Sequence, residues 1–126
     1  MKLLTHNLMS SRHIKGVVTG FPLKLTARDV KVSEVDFNKD FIVRILPKLD
    51  WEALCQAVES IGQGTDLPRS LDPDFNFEAD TEFLKKAHHV LMEVEVVSGE
   101  LECPETGRKF PITDGIPNML LNEDEV

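Results

Sequence analysis

The sequence has no tyrosine, one tryptophan and only two cysteines in 126 residues. Cys55 and Cys103 do not make a secreted-type disulfide framework, so a reducing compartment is expected. Nothing at the N-terminus reads as a secretory signal. The longest apolar run is a few residues, far below the roughly 20 that a membrane-spanning helix needs. There is no Gly-rich loop to cradle a phosphate, no nucleophile elbow and no S-adenosylmethionine or nucleotide fingerprint. There is also no His/Cys/Asp set at a catalytic spacing. Positive charge is short as well, with 14 Lys and Arg against 22 Asp and Glu and a net charge of -8. Affinity for nucleic acid depends on bases that neutralise phosphate, so this chain does not read as the main surface holding an RNA.

What is present suffices for one domain with an insert: 41% of residues are hydrophobic, enough to bury a core. Charge is uneven. Residues 1–35 carry six bases and two acids, residues 36–98 six and thirteen, and residues 99–126 two and seven. Most of the acids read as a solvated surface.

Hydrophobic period changes twice along the chain. "LLTHNLMS" at 3–10 predicts a short helix, with Thr5 or Ser10 available as caps. "FPLKL" at 21–25 and "VKVSEV" at 30–35 alternate and predict two strands, the first starting at an edge because of Pro22. Asn38 caps a helix carrying Phe41, Ile42, Ile45 and Leu46, stopped by Pro47. Asp50 caps a second, with Trp51, Leu54, Cys55, Val58 and Ile61 on one face. Residues 62–79 read as a surface loop. Asp80 or Thr81 opens a third helix whose inward stripe is Phe83, Leu84, Ala87, His88 and Leu91. The period then returns to two: Met92, Val94 and Val96 alternate with Glu93 and Glu95, which read as a wet face, and Ser98-Gly99 reads as a turn into "ELEC". "KFPI" is another strand, and Asp114-Gly115 a strong hairpin signal before "IPNMLL". The expected fold is α+β. A small, zinc-ribbon-like but metal-free antiparallel β-domain is built from 1–36 plus 93–126, with a helical insert at 37–92.

"LECPETGRKFPITDGIPNML" at 101–120 contains half of a zinc knuckle: Cys103-Pro104, then Thr106 where a second cysteine belongs, then Gly107. A tetrahedral site needs four ligands, and the stretch at 10–17 offers only His13. Cys55 reads as a small core residue. His88 and His89 are adjacent on a helix, about 100° apart, and cannot chelate one ion. No metal and no cofactor are expected. The apolar tail reads as an interaction site. A small β-domain cannot bury all of Phe110, Ile112, Ile116, Met119, Leu120 and Leu121 together with Leu4, Leu8 and Met9. An exposed apolar patch marks a partner, and a short terminal strand offers an edge that another sheet can extend.

"MKLLTHNL" at 1–8, "FPL" at 21–23, "VDFN" and Phe41 at 35–41, "DW" at 50–51 and "HHVLMEVEVVSGELECPETGRKFPITDGIPNMLL" at 88–121 resemble the tRNA methyltransferase 112 subunit homologues. The resemblance covers nearly the whole chain apart from 62–79. It implies a subunit without a catalytic centre. Such a subunit binds the catalytic subunits of several S-adenosylmethionine-dependent methyltransferases one at a time, as a heterodimer, keeping them soluble and supporting their cofactor binding. The enzymes served act on tRNA, small-subunit ribosomal RNA and the translation release factor. The resemblance further implies a cytoplasmic and nuclear location, contact with nucleic acid only through the partner, and no membrane. Some members bind zinc through two cysteine pairs; the corresponding positions here are Ser11, Gly16, Cys103 and Thr106. The expected docking residues are Leu8, Met9, Phe110, Ile112, Ile116, Pro117, Asn118, Met119 and Leu120. The alternative is a zinc-free ribbon module that binds RNA through Arg12, Lys15, Lys24, Arg28 and Lys31.

Overall fold

A computed structural model describes residues 1–62, 67–68, 70–71 and 74–126. The fold is α+β, as expected: an antiparallel four-stranded sheet in the order β1-β2-β3-β4, with helices between its first two strands. In chain order these are α1 (Leu3–Leu8), β1 (Lys24–Val32), α2 (Lys39–Ile45), α3 (Trp51–Ser60), α4 (Thr81–His88), β2 (Val94–Glu102), β3 (Lys109–Thr113) and β4 (Ile116–Pro117).

The helix starts follow local chemistry. Asn38, Asp50 and Asp80 each accept a hydrogen bond from a backbone N–H three residues on, at 3.1, 3.0 and 3.0 Å. Each cap satisfies a donor that the first turn leaves orphaned, worth about 1 kcal/mol. α3 buries Ala53, Leu54, Ala57 and Val58, and α4 buries Phe83, Leu84, Ala87 and His88. α1 has no side-chain cap, so neither Thr5 nor Ser10 plays the expected role. Tertiary bonds hold it instead. Asn7, 4% exposed, donates to the Asp50 carbonyl at 2.8 Å and accepts from the Asp50 N–H at 2.9 Å, as a peptide group in a sheet would. His6 Nε2 donates to the Leu23 carbonyl at 2.8 Å.

Three strand expectations are corrected. The stretches 21–25 and 30–35 are one strand, β1, irregular around Asp29 and preceded by a cis Phe21-Pro22 bond. Ser98-Gly99 is no turn but the middle of β2, where Gly99 faces Ala27. A Cβ at Gly99 would collide with the Thr26 carbonyl oxygen, so the glycine serves close strand approach. Glu93 is not on a wet strand face. It closes a π-helical turn at His89–Glu93 and accepts from the Val35 N–H at 2.9 Å and from His89 Nδ1 at 2.8 Å. Of the expected loop, residues 63–66, 69, 72 and 73 lie outside the described residues. Its end forms a 3-10 turn at Phe77–Ala79, with Phe75 and Phe77 packed on the core.

The buried cluster runs continuously from the sheet (Leu25, Val96, Leu101, Phe110, Ile112) into the helices (Ile42, Leu54, Leu84, Leu91). Each such side chain contributes about 1.5–3 kcal/mol by leaving water. The chain start joins it: the Met1 ammonium donates to the Val96 and Gly115 carbonyls, and the Met1 carbonyl accepts from the Val96 N–H at 2.8 Å. Met1 thereby seats beside the β3–β4 hairpin.

Candidate partner-docking surface

The half-knuckle is a real turn, closed by its own hydrogen bonds. Its Gly107 N–H reaches the Cys103 carbonyl at 3.0 Å, the Thr106 N–H reaches Cys103 Sγ at 3.4 Å, and Gly107 has φ 75°. Ser11 is buried, and its hydroxyl donates to the Gly20 carbonyl at 3.3 Å. Burial pushes that thiol up, but hydrogen bonds from the Ser11 and Thr106 side chains and the Thr106 and Glu105 backbone outweigh it and hold it below the ordinary range. A zinc ion does not fit this donor set. The positions offer one thiol, two hydroxyls and a glycine, and the Thr106 hydroxyl already accepts from the Arg108 N–H at 3.2 Å. Among the described residues, no group of three or more His, Cys, Asp or Glu side chains is placed to hold an ion.

A carboxylate joins the two turns instead. Glu105 accepts three successive backbone N–H groups, from Val18 at 3.1 Å, Thr19 at 3.0 Å and Gly20 at 2.6 Å. These bonds favour the ionised form and hold Glu105 below its ordinary value of 4.5. The stability it supplies is therefore complete above that ordinary range and is lost as pH falls through the lower folded-state value. Glu105→Gln is expected to lower the melting temperature at pH 7, with the gap to wild type closing as pH falls below about 4. Melting curves across pH check this; a gap that persists unchanged into acid contradicts the clamp.

Beyond the knuckle, β3 alternates Lys109, Phe110, Pro111, Ile112 and Thr113 as exposed, buried, exposed, buried and exposed. Phe110 is 0% and Ile112 2% exposed, so both are core residues and neither lines the docking surface. They share the strand face that meets Leu101 and the helices. Arg108 and His13 cap the Phe110 ring, with centroid distances of 5.0 and 5.7 Å. The hairpin turn uses Asp114 and Gly115, both with positive φ, at 51° and 77°.

The other seven residues expected at the docking surface behave differently. Ile116 is 68%, Leu120 79% and Leu8 59% exposed. Asn118 is exposed, while Met9, Pro117 and Met119 are half-buried. The segment carrying Leu8 and Met9 runs along this hairpin, because Met1 bonds Gly115 at one end and His13 Nε2 donates to the Met119 carbonyl at the other, at 2.9 Å. α1 turns Leu3, His6 and Asn7 inward and leaves Leu8 on its outer side, while Leu4, one turn earlier, is half-buried against the core. β4 is one of the two edge strands of the sheet, β1 being the other, and Pro117 has no N–H to present. Chemically the arrangement offers apolar surface to bury against another protein, at a sheet edge whose Pro117 gives no N–H to a further strand. The sequence reading missed the tethering roles of His13, Arg108 and Glu125, which fix this region. Their only signal is long-range pairing, which no local pattern carries.

The basic residues of the alternative reading do not form a free stripe. In β1, Lys24 pairs across from Glu102 and Lys31 from Glu95, and Arg28 contacts the Glu100 carboxylate at 2.8 Å. Arg12 and Lys15 lie elsewhere, on the loop before β1. Each base on the strand thus faces an acid, which leaves little field to attract phosphate.

The chain matches the family model described as Trm112p-like protein over residues 2–115. It is 52% identical to the Mus musculus multifunctional methyltransferase subunit TRM112-like protein over 126 residues, covering 99% of this chain and 98% of that protein. It is 50% identical to the Arabidopsis thaliana multifunctional methyltransferase subunit TRM112 homolog A, covering 100% of both. In fold it resembles a chain of the E. cuniculi Mtq2–Trm112 complex, which methylates the eRF1 translation termination factor. There the TM-score is 0.59 at 21% identity, with 95% of each chain covered.

Proposed function

This chain belongs to the Trm112p-like family, and we propose that it is a non-catalytic activating subunit of S-adenosylmethionine-dependent methyltransferases. It pairs with one catalytic subunit at a time, and those subunits act on tRNA, small-subunit ribosomal RNA and the release factor. The observation that carries this reading is the exposure of three large apolar side chains, Leu8, Ile116 and Leu120, the last two flanking the short edge strand β4. A catalytic subunit with a matching apolar edge aggregates alone. A partner that binds only its folded form stabilises it by mass action, about 2.7 kcal/mol at a hundredfold excess over Kd. Activation then consists of ordering the enzyme's cofactor pocket, with no group donated to the chemistry. The cytoplasm and nucleus, where these substrates are made and used, are the compartments proposed for it.

Co-expression with the methyltransferases of the same cell tests the reading. The isolated chain is expected to show no saturable S-adenosylmethionine binding by calorimetry and no methyl transfer. A methyltransferase that co-purifies with it is expected to bind the cofactor more tightly in the complex than alone. Micromolar cofactor binding by the isolated chain, or failure of every methyltransferase to co-purify, overturns it.

A further inference from the structure

The last nine residues are tied back to the body of the protein at both ends. At the near end, the Asn118 N–H donates to the Pro111 carbonyl at 2.9 Å, and the Met119 carbonyl accepts from His13. At the far end, Glu125 accepts four hydrogen bonds. Its carboxylate accepts from Arg108 Nε at 2.7 Å, from the other side of the same guanidinium at 3.3 Å, and from the Asn122 N–H at 3.0 Å. Its backbone carbonyl accepts from the Lys15 N–H at 2.6 Å. Between the two anchors, Leu121 packs on the core and Leu120 is held out, 79% exposed.

Arg108 is itself fixed. Its guanidinium lies over the Phe110 ring and donates to the Lys109 carbonyl at 2.5 Å. The fork of Arg108 meets both carboxylate oxygens of Glu125, a geometry that lysine cannot reproduce. An isolated surface ion pair contributes little. This one differs because both residues are also bound to backbone on either side.

We propose that the Glu125–Arg108 pair is a latch that presets the docking segment Ile116–Leu120 for the methyltransferase partner. Glu125 is a positioning residue and not a contact: its oxygens are already engaged within the chain. A tail released at residue 125 keeps its freedom until a partner arrives, and docking must then order it. A latched tail has lost that freedom on folding, so affinity is gained without any added contact. The inference rests on the functional reading above.

Hydrogen exchange and binding separate the two. In Glu125→Ala, amide exchange at residues 119–123 is expected to rise at least tenfold while the melting temperature of the body stays near wild type. Kd for the methyltransferase that co-purifies with the wild-type chain is expected to rise about tenfold. Arg108→Gln is expected to reproduce the loss of affinity, and Arg108→Gln/Glu125→Ala to lose no more than either single variant, because one pair is being broken. Unchanged exchange in Glu125→Ala shows that the latch does not hold the tail. Raised exchange with unchanged Kd shows that the latch does not serve docking. Additive losses in the double variant show that the two residues act separately, and each of these results overturns the proposal. A wild-type chain that binds no methyltransferase while the exchange contrast persists overturns the functional reading, and with it the role given to the latch.

Discussion

Leu120→Arg is expected to leave the isolated chain folded and to weaken partner binding by about a hundredfold or more. The side chain is 79% exposed, so the monomer loses almost nothing: surface changes of this kind stay within about 0.5 kcal/mol. In the heterodimer the same position lies in the proposed interface. An arginine there arrives without a partner charge, and an uncompensated buried charge costs about 3–5 kcal/mol. Three of those kilocalories correspond to roughly a hundredfold in Kd. Ile116→Arg should behave alike, at 68% exposure. Met119 is a poorer probe because it is half-buried against the core, and a charge there disturbs folding as well as docking. Circular dichroism beside a quantitative pull-down gives the answer. A folded Leu120→Arg chain that captures its methyltransferase at wild-type affinity removes this surface from the interface.

Phe110→Ala is expected to have the opposite signature. Phe110 is 0% exposed, packed among the sheet and helix residues and capped by Arg108 and His13. Its truncation loses transfer energy and leaves a cavity, about 3–5 kcal/mol together. Against a total stability of roughly 5–15 kcal/mol, this brings the chain close to unfolding. Phe110→Leu keeps most of the volume and is expected to cost far less, about 1.5 kcal/mol. Denaturant midpoints measure both. If Phe110→Ala folds as stably as wild type and loses only its partner, Phe110 belongs to the docking surface after all.

The difference between these two residues shows what the sequence could reveal. The caps at Asn38, Asp50 and Asp80 and the Asp114-Gly115 turn were legible because each is decided within four residues. The parity of "KFPIT" also places Phe110 and Ile112 on one face. What it lacks is which face looks inward, and that depends on Leu101 across the sheet. Gly99 misled for the same reason. Next to Ser98 it has the composition of a turn, yet it is required by the Thr26 carbonyl, which lies 73 positions earlier in the sequence. The exposed apolar residues were legible as an excess that a small domain cannot bury. The ties that hold them, from His13, Arg108 and Glu125, join residues far apart in sequence and left no local trace.

The placement of Met1 bears on the timing of assembly. Met1 is bonded to Val96 and Gly115, across separations of 95 and 114 residues. β1 likewise waits for β2. Contacts of such long range are slow to form and cannot begin until their distant partners exist. The helices rest on local contacts and form early, whereas the sheet and its hairpin edge must wait for segments far apart in sequence to meet. The surface proposed for docking therefore takes shape late in folding, after the helices, and a partly folded chain does not yet offer it.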